Sequence, residues 1–406
     1  MIRKTRQKNI SLFLALILLF SAMGCKQSRS GVPSDAAEGS ITDLSIETEE
    51  SSRETSEAKT SVGFSDLTER DPDFLVNVDP KYKSLIDSAI KAASDSHFQG
   101  VMAVATDDDV LLFGSPGAMT IENTSADPYT IYEVGSISKT FTAVMIMKLI
   151  DQGKMTMDDK LGKYFPDYKI GRDITIANLL NMQSGIVDYV NRAYIFFQGA
   201  ERDPEEIITT PGLTDEEFLS YLYPLELKFE PGTKTEYSNT NYHLLALIIE
   251  KITGESFRDA VKKEIFDPLG MEHSSAMTVG DETSLPDSTI GYHQFQEGAR
   301  GAGDIHSCMA DMVAFDRALF DGDLISVKSR TRMKDFKSKD YGCGLYSYGE
   351  NAYGHQGSVA CYTSENVVIE TKEYGRIYLI ASTSDPDQAL KLEKMVSQII
   401  SEWEQK

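Results

Sequence analysis

Strand-like segments stand at both ends of the foldable part of this chain, and helix-like segments fill the stretch between them. Near the front, Val101 to Thr106 and Val110 to Phe113 are short runs rich in β-branched and apolar residues. The turn-prone Asp107-Asp108-Asp109 joins them, which predicts a hairpin. Near the end, Val367 to Glu370 and Arg376 to Ser382 flank Gly375. The economical way to bury all four is one antiparallel sheet assembled from both ends of the domain. Two helices should cover it. One, from about 80 to 95, is entered at Asp79-Pro80; the other is entered at Asp385-Pro386 and carries Ala389, Leu392, Val396, Ile399 and Trp403 at helical spacing. Between the strand groups the sequence predicts helices over Ser136 to Gln152 and Tyr242 to Ile252, the latter closing at Gly254. A capping box at Thr214–Glu217, with Leu213 and Phe218 as its staple, marks another. The expected fold class is α+β. A sheet lobe (about 80–130 and 340–406) carries an inserted, mainly helical lobe (about 131–339), and the cleft between lobes is the place to look for a site.

The first 79 residues read differently. Arg3, Lys4, Arg6 and Lys8 precede an apolar run from Ile10 to Met23, and Gly24-Cys25 follows. The run is shorter than the roughly 20 residues a membrane crossing needs, so residues 1–24 read as an export signal. Gly24-Cys25 resembles a bacterial lipobox, which would place a lipid on Cys25 as the first mature residue; plain cleavage and secretion is the alternative. From Lys26 onward the chain is rich in Ser, Thr and acids, with no aromatic residue before Phe64. Too little apolar area is present to offset chain entropy, so residues 25–79 are expected to form a flexible tether. The whole chain of 406 residues has a net charge of −23, which argues against a nucleic-acid partner held through phosphates. Its four cysteines, Cys25, Cys308, Cys343 and Cys361, show no zinc-binding spacing, and no metal or other cofactor is expected. Cys343 and Cys361 could pair in an oxidising exterior, although a buried thiol is the simpler reading.

The chemistry-bearing phrase is Glu133-Val134-Gly135-Ser136-Ile137-Ser138-Lys139-Thr140-Phe141-Thr142-Ala143, continuing into the apolar Val144 to Ile150. A hydroxyl at the start of a buried helix stands beside unpaired N–H groups, which favour a developing anion. Lys139, three residues on, shares its face. Burial disfavours the ammonium, and a neutral amine could take the Ser136 proton. Spacing alone does not decide the matter: Ser56/Lys59 and Ser88/Lys91 match equally, and Ser136 could be a simple N-cap.

With its neighbours, this phrase resembles the class C serine β-lactamases, the D-alanyl-D-alanine peptidases and the β-lactamase-like esterases. The resemblance covers most of residues 98 to 383. It includes Gly153 to Leu161, Leu179 to Gly185, Glu230 to Asn239, Pro268 to Met271 and Gly354 to Gly357. It implies a β-lactamase/DD-peptidase-like fold with Ser136 as nucleophile, Lys139 and Tyr237 sharing proton transfer, and Asn239 both holding Lys139 and donating to substrate. Tyr189-Val190-Asn191 also fits the Tyr-x-Asn pattern, but the phrases around Tyr237 match the family. The third family motif is His355-Gln356-Gly357. There His355 would supply a neutral or positive donor to a substrate carboxylate or a proton chain, Gly357 would permit close backbone approach, and the N–H groups of Ser136 and Ser358 would form an oxyanion hole. Three positions depart from the family pattern: Met182, Cys361 and the run Ala381-Ser382-Thr383.

The implied activity is that of an exported serine hydrolase that forms an acyl-enzyme on an amide, peptide or ester. A small-molecule or peptide substrate, cell-wall peptide included, is expected, with the N-terminal lipid as the contact to the outer face of the cell membrane. The His-x-Gly form favours a peptidase or esterase over an efficient β-lactamase, because a fixed ammonium would grip the antibiotic's carboxylate better. The rival class is a cell-surface binding module that keeps the fold without turnover.

Overall fold

The computed structural model describes residues 61–406, except 121, 202, 204–212, 277–298, 323, 337–339 and 360–361. Cys25, the Ser56/Lys59 pair and Cys361 lie outside the described residues. No described helix is long and apolar enough to cross a membrane.

The large sheet is antiparallel and has eight strands: β1 (Thr68–Asp71), β2 (Phe74–Val76), β3 (Val101–Thr106), β4 (Val110–Gly114), β8 (Tyr346–Ser347), β9 (Ala352–Val359), β10 (Tyr362–Thr371) and β11 (Gly375–Thr383). They lie in the order β1-β2-β4-β3-β11-β10-β9-β8. The two chain ends meet where β3 pairs β11, with Ala103 opposite Ile380. A smaller sheet comprises β5 (Tyr132–Glu133), β6 (Ser275–Ala276) and β7 (Ile305–Ser307), with β7 in the middle. The longer helices are α1 (Lys83–Ser96), α2 (Ser138–Asp151), α3 (Asp215–Leu222), α4 (Asn239–Thr253), α5 (Met309–Asp321) and α6 (Ala389–Trp403).

Both faces of the large sheet are covered, so Val101–Ala105, Val367–Ile369 and Ile377–Ala381 are apolar runs instead of alternating ones. Met102, Val104, Ile377, Leu379 and Val367 face α1 and α6, where Leu85, Ile86, Leu392, Val396 and Trp403 complete one core. Val101, Ala103, Ala105, Val368, Tyr378 and Ile380 face the helical lobe and join the larger core with Phe141, Met145 and Leu149 of α2. Trp403 Nε1 donates to Ser88 Oγ (2.7 Å), locking α6 to α1. This occupies the hydroxyl of one competing Ser-x-x-Lys pair in a helix-to-helix contact.

The sequence-derived boundary at residue 79 is too late. Phe64–Asp66 is a short 3-10 turn, and β1 and β2 continue the sheet by pairing β2 with β4, Leu75 opposite Phe113. The segment is polar because β1 is an exposed edge strand: all four of its residues are exposed, so composition there resembles that of a tether. The capping box forms as expected, with Thr214 Oγ1 accepting from Glu217 N (3.2 Å). Helix α4 begins three residues before the sequence reading, at Asn239. Cys343 is fully buried, and its suggested pairing with Cys361 lies outside the described residues.

Candidate active site

Helix α2 is buried on every side over its first ten residues, Ser138 to Met147, and Phe141 stacks on Phe315 of α5 at 3.9 Å between ring centres. The turn that delivers the chain into it is a 3-10 turn, Gly135–Ile137, with Gly135 in the left-handed region at φ +52°. Ser136 therefore sits in the turn before the α-helix. Its side chain caps neither element, which removes the N-cap explanation for this serine.

Ser136 Oγ is met from two directions. Lys139 Nζ lies 3.0 Å away, and the Tyr237 hydroxyl donates to it at 2.8 Å. Lys139 is fully buried, and its Nζ also reaches Asn239 Oδ1 at 2.7 Å and the Ala302 carbonyl at 2.5 Å. Burial pushes Lys139 down to about 7, against the opposing pull of the Asp188 and Asp304 carboxylates. The hydrogen inventory then fixes its role. Two of the three neighbours only accept, so a neutral amine spends its two N–H groups on Asn239 and Ala302 and turns its lone pair to Ser136. Burial raises the Tyr237 phenol well above its ordinary value, so Tyr237 is a donor and relay while Lys139 is the group able to act as base near neutrality.

Asn239 opens α4, and its amide nitrogen is directed at both oxygens of Asp188, 3.1 and 3.2 Å away. That corrects one expectation: Asn239 holds Lys139, but its N–H group faces a carboxylate instead of a substrate. The competing Tyr189 is buried in the core, its hydroxyl 3.4 Å from His243 Nδ1 and its ring against Phe218.

The third motif lies on β9. From His355 onward no described strand pairs with its outer edge, because β8 contacts only Tyr353 and Gly354. The Ser136 turn packs there. A Cβ added to Gly357 would fall 1.9 Å from the Val134 carbonyl and 3.0 Å from Ser136 N, and one added to Gly135 would fall 2.8 Å from Ser358 N. The glycine thus admits the chain's own turn, not a ligand, and that approach sets the Ser136 and Ser358 amides in one neighbourhood. His355 does not take the carboxylate-binding part expected of it. It is buried, its Nδ1 is 2.5 Å from the Gln356 carbonyl and its Nε2 is 3.0 Å from the Tyr341 hydroxyl. A carbonyl only accepts, so Nδ1 carries the proton and Nε2 accepts from Tyr341. Burial, reinforced by the Lys139 charge, pushes His355 down to about 3. A neutral imidazole committed at both nitrogens does not grip a carboxylate; it braces Tyr341 in a group of rings that includes Tyr237 and Tyr346, the last two parallel at 6.3 Å.

The structure brings together Ser136, Lys139, Tyr237 and Asn239 from segments about a hundred residues apart, with Gly357 and Ser358 alongside. Sequence reasoning misses Asp188, the Ala302 carbonyl, and Asp304, a buried carboxyl that accepts from Gly301 N (2.9 Å) and is pushed up to about 7 by burial. None of these carries a motif. Met182, one of the departures from the family pattern, takes φ +57° and uses its sulfur to accept from Ser238 N (3.4 Å), supporting the turn behind Tyr237.

The family model "Beta-lactamase" matches residues 86–397. Penicillin-binding protein 4* of Bacillus subtilis (strain 168) is 32% identical over 275 residues, covering 61% of this chain and 59% of the relative. The putative penicillin-binding protein PbpX of the same strain is 32% identical over 234 residues, 54% of each chain. The chain thus spans between half and two thirds of the length of these relatives. Among solved structures, a D-stereospecific amidohydrolase from Streptomyces sp. superposes with TM-score 0.61 at 26% identity, over 77% of this chain and 97% of the other. D-amino acid amidase from Ochrobactrum anthropi SV3 gives 0.62 at 23% identity, over 79% and 99%; at that identity the likeness concerns the fold.

Proposed function

Since the chain belongs to the beta-lactamase family of serine hydrolases, we propose that it is an exported acyl-transferring hydrolase whose nucleophile is Ser136, acting on peptide or amide bonds of D-configured substrates or on related esters. The observation that carries this reading is the double contact on Ser136 Oγ, from Lys139 Nζ at 3.0 Å and the Tyr237 hydroxyl at 2.8 Å. In the first step Ser136 Oγ bonds to the substrate carbonyl carbon while its proton passes to neutral Lys139. The amides of Ser136 and Ser358 receive the carbonyl oxygen as it becomes an anion. The C–N or C–O bond then breaks, the leaving group taking a proton relayed through Tyr237, and an ester on Ser136 remains. Water adds to that ester by the reverse proton path and releases the acid, restoring the serine hydroxyl. The unpaired edge of β9 suits an extended acyl chain laid alongside it. With His355 neutral and buried, no ammonium or imidazolium on this strand matches a β-lactam carboxylate, which favours the peptidase or esterase reading. The D-stereospecific amidohydrolase and the penicillin-binding relatives point the same way.

Intact-mass measurement with a fluorophosphonate and with a fluorescent penicillin tests the nucleophile. Wild type should gain one adduct and Ser136→Ala none; an adduct that survives the substitution, or a folded wild type that neither probe labels, overturns the reading, the second in favour of a binding module. Export rests on the N-terminal pattern ending at Cys25. Two acyl chains hold a protein to a bilayer where one does so marginally, so the full chain should fractionate with membranes and Cys25→Ser should not; equal release of both into the medium leaves a secreted enzyme.

A further inference from the structure

Asp188 lies outside the phrases named above, three residues beyond Gly185, and no hydrogen bond joins it to Ser136 or Lys139, yet it is almost completely buried. Its Oδ1 accepts from the backbone of Val190 (2.9 Å) and Asn191 (3.3 Å), its Oδ2 from Asn191 Nδ2 (2.6 Å), and both from Asn239 Nδ2. The turn that bears it is clamped to the start of α4. Thr240 Oγ1 donates to the Val187 carbonyl (2.7 Å) and accepts from Tyr189 N (3.0 Å), so residues 188 and 239 are held face to face. A carboxylate only accepts. It therefore forces the Asn239 amide into one of its two orientations, Nδ2 inward and Oδ1 toward Lys139. The opposite orientation would offer an N–H group to Lys139 and engage the lone pair that faces Ser136.

We propose that Asp188 is a positioning residue: by claiming the Asn239 amide hydrogens it turns Asn239 Oδ1 onto Lys139 and leaves Ser136 as the neighbour to which the Lys139 lone pair is directed. This rests on the Ser136 reading given above. The groups facing Lys139 are the carboxylates of Asp188 and Asp304, the neutral rings of Tyr237, Tyr242 and His355, and the Ser136 hydroxyl. Removing the Asp188 charge takes away one of two anions that favour the ammonium.

Two measurements on the full chain test the assignment. The first follows the rate of Ser136 labelling by fluorescent penicillin against pH. Asp188→Asn should slow labelling at its plateau by about 10–100-fold, the lower part of the range for disturbing a positioned acid–base group, and should move the acid limb to lower pH. Exchanging the pair, Asp188→Asn with Asn239→Asp, restores one donor and one carboxylate; it should recover at least tenfold over the single variant and return the limb upward. The second measurement needs no turnover: NMR titration of protein labelled with 13C at lysine Cε, the Lys139 signal being the one missing in Lys139→Met. Its midpoint should fall in Asp188→Asn and rise again in the exchange. A midpoint that stays put in folded Asp188→Asn overturns the proposal, as does an exchange variant that melts like wild type without recovering. Absent labelling of wild type with the NMR shifts intact refutes the hydrolase reading alone.

Discussion

Gly357→Ala isolates the contact that builds the site. In the structure an alanine Cβ at this position falls 1.9 Å from the Val134 carbonyl oxygen, whereas ordinary contact begins near 3.4 Å, so two backbones must separate by about 1.5 Å. Strand β9 is the less able to yield, because it is paired with β10 along its full length from Ala352 to Val359. The turn Val134–Ser136 moves instead. It carries Ser136 Oγ away from Lys139 and Tyr237 and its amide away from Ser358. Overpacking of this kind costs about 1–3 kcal/mol, which at this domain size lowers the melting midpoint by roughly 2–6 °C. Activity should suffer more than stability, since a misplacement of about 1 Å at a reacting centre costs on the order of a hundredfold. Gly375→Ala serves as the control. That residue is at φ +70° with nothing within 4 Å of an added Cβ, so alanine there costs about 1 kcal/mol of backbone strain far from the site. Melting curves and rates of labelling by fluorescent penicillin should show both variants destabilised but only Gly357→Ala slowed. Wild-type labelling and melting in Gly357→Ala would refute the claim that β9 sets the Ser136 turn.

Two further outcomes follow from buried charge. The labelling rate should rise with pH along a one-proton limb centred near 7, because Lys139, pushed down to about 7 by burial, acts only when neutral; a rate flat down to pH 5 would exclude it as the base, and a limb near 10 would exclude its lowering by burial. Asp316 of α5 and Glu365 of β10 are pushed up by burial to about 7 and about 8. The folded state therefore holds their protons more tightly than the unfolded chain, and stability falls as pH rises from about 4 toward those values. Asp316→Asn ionises in neither state and should raise the urea midpoint much more at pH 8 than at pH 4; equal effects at both would show that burial does not hold the Asp316 proton in the fold.

How much of the fold is legible in the amino-acid sequence follows from physical range. Strand β3 and the runs Val367–Ile369 of β10 and Ile377–Ala381 of β11 are apolar because they are buried on both faces, and the helices at 80–96 and 386–403 announce themselves through an N-cap aspartate and a proline, all local signals. Strand β1 is hidden because an exposed edge strand has the composition of a linker, and β2 because its apolar run is only three residues long, Phe74–Val76. Strand β9 is hidden for the opposite reason. Its glycines at 354 and 357 lower strand propensity, and they are there because backbone passes close on each: Asn366 O would lie 1.9 Å from a Cβ at Gly354, and Val134 O equally close at Gly357.

The site divides along the same line. Ser136 and Lys139 share one turn and can be paired from spacing, whereas Tyr237 and Asn239 are legible only through the family phrases around them. The part played by a group at the end of a side chain depends on what lies behind it, and that is set by pairing far along the sequence. Asn239 has both a donor and an acceptor, and only the Asp188 carboxylate decides which one meets Lys139. His355 could have been a charged donor, and the Gln356 carbonyl with the Tyr341 hydroxyl makes it a neutral brace. Lys139 has three contacts and three hydrogens when charged; the two acceptor-only neighbours, one of them a backbone carbonyl at Ala302 that no side-chain motif could mark, are what turn the neutral form toward Ser136. The proposed nucleophile is thus marked by local spacing together with the phrase around it, and its proposed activation by groups whose identity in sequence is unremarkable because their contribution is an orientation.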